Sequence, residues 1–369
     1  MPAAVPTLGV EEEYLLLDRA TGVPAPLSEA VRRGADLQPA LGPDDVQGEL
    51  LQVQVEVATP VCQELDEAGG HLLRLRHGLS ASAQEQGALL LACGAAPWAD
   101  GAAPVTDDAR YRRIRDRAPA LVDEQLINGM HVHVAVPNRA CGLDVLNRLR
   151  ADLPLLLAMS SNSPFWQGRD TGFASWRTVH FERWPVAGPP PHVDGEDDYD
   201  RRVAALLETG AVLDTGQLYW QARVSERYPT VEVRCADVQL RVDDAVLLAG
   251  LIRALVITAL GDADAGTPYP VPPAELLRAA SWSAARHGLD GDLYDLRSGR
   301  RRSSRDMVGD LLDRVQAALR AAGDEEQVHA LADRLLHEGT GAARQREVVA
   351  RDDVGALVGF VAAETVAAG

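Results

Sequence analysis

Apolar and polar side chains alternate along four short stretches in the first part of the chain. These stretches are residues 8–18, 51–59, 130–136 and 230–236. In the second stretch, valine occupies every other position from Val53 to Val57. An alternation with a period of two is typical of a half-buried strand. We therefore predict four strands, each with one apolar and one polar face.

Helical spacing of apolar residues dominates between these stretches and in the last third of the chain. The predicted helices cover residues 64–85, 107–117, 144–159, 243–262, 273–287, 303–322, 324–337 and 345–363. No Gly/Ser-rich linker and no internal repeat divides the chain. The sequence therefore predicts one α+β domain over residues 1–369, strand-rich over 1–240 and helical over 241–369.

Every cation in this chain is an arginine. The 54 Asp plus Glu residues outnumber the 36 Lys plus Arg residues, which gives a net charge of −18, and no lysine occurs. Such a charge argues against nucleic acid or an anionic membrane as the partner. The missing lysine excludes a P-loop and a Schiff-base nucleophile. A nucleotide would have to be held by arginine, backbone amides and metal ions.

The four cysteines lie far apart in the chain and form no C-x-x-C pair. This spacing favours reduced thiols in a cytosolic protein over a disulfide framework. The most apolar stretch, residues 245–260, is interrupted by Arg253 and is too short to span a bilayer. We therefore predict a soluble, cytoplasmic protein.

The polar faces of the predicted strands carry the strongest chemical signal. Glu11 with Glu13, His131 with His133, and Glu232 with Arg234 are two residues apart, and Glu56 lies among glutamines. Residues two apart on a strand point the same way. If the strands share a sheet, they line a cavity of carboxylates and imidazoles that suits Mg²⁺ or Mn²⁺. The alternative is four ordinary solvent-facing strands.

The His131-x-His133 pair also permits a different metal. Two histidines on one strand face can chelate zinc, as in hydrolases, although zinc needs a third ligand and an open position. The alternative is a pair of histidines that only pack or form hydrogen bonds.

Two loops and two charge runs complete the candidate features. Residues 160–177 are rich in Gly, Ser and Trp, and Arg169 and Arg177 there would suit a small polar substrate such as an amino acid. The alternative is a structural loop pinned by its aromatic residues. Residues 187–200 are predicted to form a mobile surface loop, with a solvated acidic run at 196–200. The arginine run at 300–305 is predicted to begin a solvated helix.

Five motifs resemble those of one known family. They are GVEEEY at 9–14, Glu49 with the stretch 54–60, NGMHVH at 128–133, SNSPFW at 161–166 with the glycines after it, and RYPTVEVR at 227–234. Together they are similar to the carboxylate–amine ligases, also called glutamate–cysteine ligase type 2 (YbdK-type), of the glutamine synthetase-like superfamily. The resemblance runs from about residue 7 to the C-terminal helices.

This resemblance implies a fold, a reaction and a set of site residues. The fold would be a curved, mainly antiparallel sheet that forms a funnel and is backed by helices. The reaction would be ATP-dependent amide formation through an acyl phosphate, typically from glutamate and cysteine. The implied Mg²⁺ ligands are Glu11, Glu13, Glu49, Glu56, His131 and Glu232. Arg234 and Glu56 would be catalytic, with Arg234, Gln125 and Arg112 on the nucleotide side and Tyr111 near the substrate.

Several choices stay open at this level. Arg169, Arg177, Arg223 and Arg227 are candidates for binding an amino-acid carboxylate. A loop within 164–177 or 189–200 would close the site, and the family suggests a homodimer or larger assembly. The competing functions are a zinc hydrolase built on His131 and His133, and a non-catalytic protein that binds an amino acid or nucleotide.

Overall fold

Thirteen strands are described in the computed structural model, which covers residues 5–36, 38, 41–42, 45–99, 101–352 and 354–367. The strands are β1 (Leu8–Asp18), β2 (Val46–Gly48), β3 (Gln54–Ala58), β4 (Ala88–Leu91), β5 (Gly129–Ala135), β6 (Phe165–Trp166), β7 (Arg169–Asp170), β8 (Ala187–Gly188), β9 (Tyr219–Trp220), β10 (Ala222–Val224), β11 (Thr230–Asp237), β12 (Asp292–Asp295) and β13 (Arg300–Ser303). Seven of them form the main sheet in the order β10-β11-β5-β1-β3-β2, with β4 paired to β1. Every pairing in this sheet is antiparallel.

Fourteen α-helices accompany the sheet in the described part of the chain. They are α1 (Ser28–Ala35), α2 (Leu65–Glu85), α3 (Ala109–Arg117), α4 (Pro119–Asp123), α5 (Arg139–Leu149), α6 (Leu153–Met159), α7 (Trp176–Phe181), α8 (Glu196–Glu208), α9 (Val242–Asp264), α10 (Ala274–His287), α11 (Ser304–Ala322), α12 (Glu325–Glu338), α13 (Gly341–Arg351) and α14 (Val354–Thr365). The predicted α+β fold with an antiparallel sheet and a mainly helical C-terminal region is confirmed.

The helical layer is built around α9, which packs against α2, α5, α11 and α12. Among the described residues, α9 is the one helix long and apolar enough to cross a membrane, but 78% of its apolar window is buried inside the protein. Its Arg253 is fully buried and bonds to Asp324 and to the carbonyl of Gln63. Apolar contacts therefore surround α9 on nearly all sides, as they do for the central helix of a core.

Two predicted helices are each divided in the structure. Residues 144–159 form parts of α5 and α6, because Pro154 in the first turn of α6 has no N–H to continue a helix from α5. Residues 345–363 likewise form parts of α13 and α14. The predicted helix boundaries were therefore wrong at these two points.

Two charge runs also differ from their predictions. The acidic run at 196–200 opens α8 instead of lying in a loop, and carboxylates in a first turn are favoured by the helix dipole. Arginines 300–302 lie in strand β13, which pairs with β12 in a hairpin, so a helix start at this run was wrong. The described helix α11 begins only at Ser304.

Candidate active site

A cavity of about 540 Å³ opens on the polar face of the main sheet. Its floor comes from β1, β3, β5 and β11, which are adjacent in the sheet order. Its rim comes from α3, the chain near Thr215 and the turn at 225–228. The polar strand faces therefore converge on one cavity.

Strand register explains how the charged side chains meet. Glu11 pairs with His131 across β1 and β5, and Glu13 pairs with Glu56 across β1 and β3. Glu232 pairs with His133 across β11 and β5. Side chains directly opposite on antiparallel strands have Cβ atoms about 4.5–5.5 Å apart. Four strands thus bring these residues together on one face.

The first cluster consists of Glu13, Glu49 and Glu56, whose carboxylate oxygens lie within 4.8 Å of one another. Burial and the charge of Glu13 raise the pKa of Glu49 to about 7. Burial and the charge of Glu49 raise the pKa of Glu56 well above its ordinary value. The cluster therefore repels itself unless protons or cations neutralise it.

The second cluster consists of Glu11, His133 and Glu232, with ligand atoms again within 4.8 Å of one another. His133 Nε2 lies 3.4 Å from Glu11 Oε1 and 3.8 Å from Glu232 Oε1. Burial opposes the charge of Glu11, but its interactions with His131 and His133 outweigh burial and lower the pKa of Glu11. The strand pattern had placed His131 and His133 on one face, whereas the ligand set implied by the resemblance contained only His131; in the structure His133 lies in this cluster.

His131 lies between the two clusters. Its Nδ1 is 3.1 Å from Glu11 Oε2, and its Nε2 is 3.8 Å from Glu13 Oε1. Burial and the nearby Arg234 lower the pKa of His131, which keeps the ring neutral and able to bind a metal. In the described structure, Nε2 of both His131 and His133 is buried without a hydrogen-bond partner.

These donors fit a hard divalent cation. Five carboxylates and two imidazoles surround the cavity floor, and such an oxygen-rich set suits Mg²⁺ or Mn²⁺. The unpartnered ring nitrogens and the raised pKa values in the first cluster show that compensating charge is lacking among the described residues. Two histidines and one glutamate can also hold a catalytic zinc, so the preference for Mg²⁺ or Mn²⁺ rests on the five carboxylates and not on the histidines.

Two arginines flank the second cluster. Arg234 bonds to Glu232, and its Nη1 lies 3.3 Å from His131 Nδ1. Arg223 donates from Nε to Glu232 Oε2 at 2.6 Å. Burial raises the pKa of Glu232, but the two guanidinium groups outweigh burial and lower it. Arg234 Nε is buried and bonds to no other described group, so this donor lacks a hydrogen-bond partner within the described structure.

Helix α3 presents only one of its sides to the cavity. Arg110 and Tyr111 line the cavity, and Arg110 bonds through Nε to Asp214 Oδ2 at 2.7 Å. Arg112, which the resemblance placed on the nucleotide side, is exposed, pairs with Asp107 and does not line the cavity. The helical period could have distinguished them, because Ile114 faces the same side as Arg110.

The substrate-side candidates separate in the same way. Arg177 is buried at the cavity and packs so closely on Gly129 that a Cβ there would lie 2.3 Å from its Nη2. Gln125 lines the cavity and accepts a hydrogen bond from Trp184 Nε1 at 2.8 Å. Arg169 lies exposed in the β6–β7 hairpin, outside the cavity lining.

Most of the segment at 160–177 is structural. Buried Asp237, at the end of β11, accepts hydrogen bonds from Asn162 N (2.8 Å), Ser163 Oγ (2.7 Å) and Ser175 Oγ (2.8 Å). Phe165 is 3% exposed. Within this segment only Arg177 lines the cavity. The loop therefore fixes Arg177 to the strand that carries Glu232 and Arg234.

Tyr219 is a cavity residue that sequence reasoning missed. It lies in the two-residue strand β9 and forms part of the wall with Phe181 and Trp184. A strand this short leaves no period to detect. Arg110 was also missed, although it adjoins the predicted Tyr111.

Similar structures have been solved for proteins with low sequence identity. A crystal structure of glutamate–cysteine ligase from Francisella tularensis in complex with AMP has a TM-score of 0.73 and 14% identity, covering 98% of this chain and 89% of that one. A bifunctional glutathione synthetase from Pasteurella multocida has a TM-score of 0.70 and 14% identity, covering 98% of this chain and 52% of that one. These likenesses confirm the expected fold.

Curated relatives match at much higher identity. A protein from Mycolicibacterium vanbaalenii, provisionally named glutamate–cysteine ligase 2-2, is 47% identical over 364 residues, which is 98% of each chain. A protein from Saccharopolyspora erythraea, provisionally named glutamate–cysteine ligase 2-1, is 46% identical, covering 98% of this chain and 95% of its own length. The model for glutamate–cysteine ligase family 2 matches residues 7–364. The chain therefore belongs to glutamate–cysteine ligase family 2 and is an ATP-dependent ligase that forms C–N bonds.

Proposed function

We propose that this ligase joins the γ-carboxylate of glutamate to the amine of cysteine through an acyl phosphate. The observation that carries the proposal is the pair of carboxylate clusters beside Arg234 at the floor of one cavity. The relatives named glutamate–cysteine ligase 2 support the substrate pair. The AMP in the Francisella tularensis structure supports a nucleotide as the third substrate.

The chemistry of the acid explains why ATP is required. A carboxylate is a poor acyl donor, because its leaving group would be oxide. Transfer of the γ-phosphoryl group from ATP to a carboxylate oxygen releases ADP and gives an acyl phosphate. The amine then attacks the acyl carbon and displaces phosphate. Catalysis of such a transfer depends mainly on positioning and on electrostatic stabilisation.

The carboxylate clusters would hold the metal ions. Glu13, Glu49 and Glu56 would hold one Mg²⁺ or Mn²⁺, and Glu11, Glu232 and the histidines would hold another. When bound, the ions supply positive charge that neutralises the clusters and the phosphate oxygens.

Arg234 is the protein group best placed to meet the transferred phosphoryl group. Its guanidinium adjoins both Glu232 and His131, and its buried Nε has no partner among the described groups. A guanidinium presents a rigid fork of donors that matches phosphate oxygens. Because arginine stays protonated, this donor persists throughout the reaction.

The substrate side is formed by arginines and aromatic residues. Arg177 and Arg227 line the cavity and would bind the amino-acid carboxylate, whereas Arg223 is already engaged by Glu232. Tyr111 and Tyr219 would help to exclude water, which would otherwise hydrolyse the acyl phosphate. The turn at 225–228 lines the cavity and is a candidate lid beside the expected loop at 189–200, whereas the expected loop at 164–177 is held by Asp237 and is a poorer candidate.

The decisive experiment measures ADP formation with ATP and Mg²⁺ while glutamate or cysteine is omitted in turn. ADP and γ-glutamylcysteine that appear together only in the complete mixture would support the proposal. ADP with other acid and amine pairs alone would contradict the substrate assignment. Hydrolysis with zinc and without nucleotide would favour the hydrolase, and binding without ADP would favour a non-catalytic protein. A homodimer and a cytoplasmic location stay predictions, to be tested by light scattering and cell fractionation.

A further inference from the structure

A second cavity, of about 810 Å³, lies between residues 185–191, α8 and α10. It shares no lining residue with the catalytic cavity. Its walls are mainly apolar and include Val186, Pro189, Pro191, Leu206, Trp220 and Leu277. Cavities of roughly 300–1,000 Å³ with apolar walls and a few polar groups are typical of small-molecule sites.

A buried guanidinium faces this cavity. Arg150 is 3% exposed, lines the cavity and donates from Nε to the carbonyl of Pro190 at 2.9 Å. Its Nη1 is buried and has no hydrogen-bond partner among the described residues. Burial lowers the pKa of Arg150, and no described carboxylate opposes that effect. A buried cation without an anion is costly, so this group requires a negative partner.

The other arginines around the cavity have carboxylates near them. Arg202 and Arg278 line the cavity together with one acid, Glu275. Arg202 donates from Nε to Asp198 Oδ2 at 2.8 Å. Arg278 lies close enough to Glu182 to oppose the effect of burial on the pKa of Glu182. Among the described lining residues, Arg150 is therefore the arginine without a compensating carboxylate.

We propose that this cavity binds a small organic carboxylate with an apolar body. The carboxylate pairs with the guanidinium of Arg150, and the apolar body lies against Trp220 and the proline-rich wall. A purely inorganic anion would leave those apolar walls uncovered, whereas a neutral apolar ligand would leave Arg150 without a partner. The two requirements together define the ligand class.

The cavity lies behind one wall of the catalytic site. Trp220 lines it, while the preceding residue Tyr219 lines the catalytic cavity from the opposite side of β9. Adjacent residues on a strand point to opposite faces. The ligand would therefore contact the reverse side of a strand that also borders the catalytic cavity.

The test is a calorimetric titration of the full chain with 3-phenylpropionate, with 3-phenylpropionamide as the uncharged match. We expect the acid to bind, and the amide to bind about tenfold more weakly or worse. Arg150→Met should lower the affinity for 3-phenylpropionate by about tenfold or more and leave the affinity for 3-phenylpropionamide unchanged. Absence of binding to the wild type, or equal binding of acid and amide, would overturn the proposal.

A second variant keeps the test decisive if Arg150→Met fails to fold. Ala205 lines the cavity from the exposed side of α8, so Ala205→Trp fills the space while leaving Arg150 in place. We expect this variant to lose at least about tenfold in affinity for 3-phenylpropionate. Unchanged affinity in Ala205→Trp would place the probe elsewhere and overturn the assignment. The readout is binding alone, so it is independent of the proposed ligase reaction.

Discussion

Glutamates on the two faces of strand β1 have opposite electrostatic surroundings. On the helix side, Glu12 is fully buried and bonds to Arg76, which also bonds to the carbonyls of Leu240, Gln239 and Thr365. On the cavity side, Glu13 lies among Glu49 and Glu56 and bonds to the amide of Gly129 at 2.6 Å. Glu12 is compensated by a buried arginine, whereas the cluster around Glu13 has no cation bonded to it among the described residues. Missing compensation, and not acidity itself, distinguishes the site from the core.

The largest effect should follow from Glu56→Gln, which removes one cavity carboxylate at nearly constant shape. We expect ADP formation to fall by about a thousandfold, because the proposed function makes Glu56 a metal ligand. The thermal stability of the metal-free variant should not fall below that of the wild type, since the substitution relieves repulsion with Glu49. Glu347→Gln on the exposed side of α13 is the matched control. Near-normal turnover by a folded Glu56→Gln protein would contradict a catalytic role for this cavity.

The opposite result is expected on the helix side. Glu12→Gln leaves the buried Arg76 without its carboxylate and should lower the free energy of unfolding by about 3–5 kcal/mol. Chemical denaturation of this variant and of Glu56→Gln measures the contrast directly. Equal stability of the two variants would show that the two faces of β1 do not differ as described.

Replacing Arg234 by lysine tests whether shape or charge matters in the cavity. Arg234→Lys keeps a positive charge but loses the fork and the unpartnered Nε. We expect kcat to fall by about a hundredfold while the affinity for Mg²⁺ changes little. Steady-state kinetics and metal titration separate the two quantities. If Arg234→Lys retains the wild-type kcat, Arg234 contributes to catalysis only through its positive charge.

A smaller effect is expected in the pH dependence of stability, which tests the raised pKa of Glu49 in the first cluster. The pKa of Glu49 is raised from 4.5 to about 7, so the folded state binds a proton that the unfolded state releases. Metal-free protein should therefore lose stability relative to Glu49→Gln as pH rises from 4.5 to about 7. We expect a difference of about 2 kcal/mol above pH 7, after allowance for solvent screening.

Melting curves of both proteins in EDTA at several pH values measure this difference, and Mg²⁺ should reverse it. If the difference in stability between the two proteins does not change with pH, the pKa of Glu49 is not raised as described.

The smallest effect concerns neighbouring arginines on α3. Arg110→Met should raise KM for a substrate by about tenfold, because Arg110 lines the cavity. Arg112→Met should leave kinetics unchanged, because Arg112 is exposed and faces away from the cavity. A larger effect from Arg112→Met would restore the nucleotide-side role that the sequence resemblance implied.

Local pattern predicted much of this molecule, since β1 covers the predicted residues 8–18. The co-facial pairs followed from a period of two, which does not depend on the rest of the fold. The neighbours of each strand were not predictable, because β1 pairs with strands far apart in the chain. The contact between His133 and Glu232 therefore became evident only once β11 was placed beside β5.

Other site residues depended on helix phase and on hairpins too short to show a pattern. Arg110 and Arg112 differ by two positions on a helix and so point in different directions. Arg169 looked equivalent to Arg177 in sequence. In the structure Arg177 lies in the first turn of α7, whereas Arg169 lies in the exposed strand β7. The single-domain organisation stays a prediction.

Asp237 has a mechanical consequence for the catalytic cycle. By tying the 160–177 segment to the end of β11, it makes Arg177 and Arg234 parts of one rigid frame. Groups on a common frame keep their spacing while a ligand enters or leaves. If Arg177 binds the amino-acid carboxylate and Arg234 meets the phosphoryl group, as proposed, the distance between these two ligand groups is set before either substrate binds.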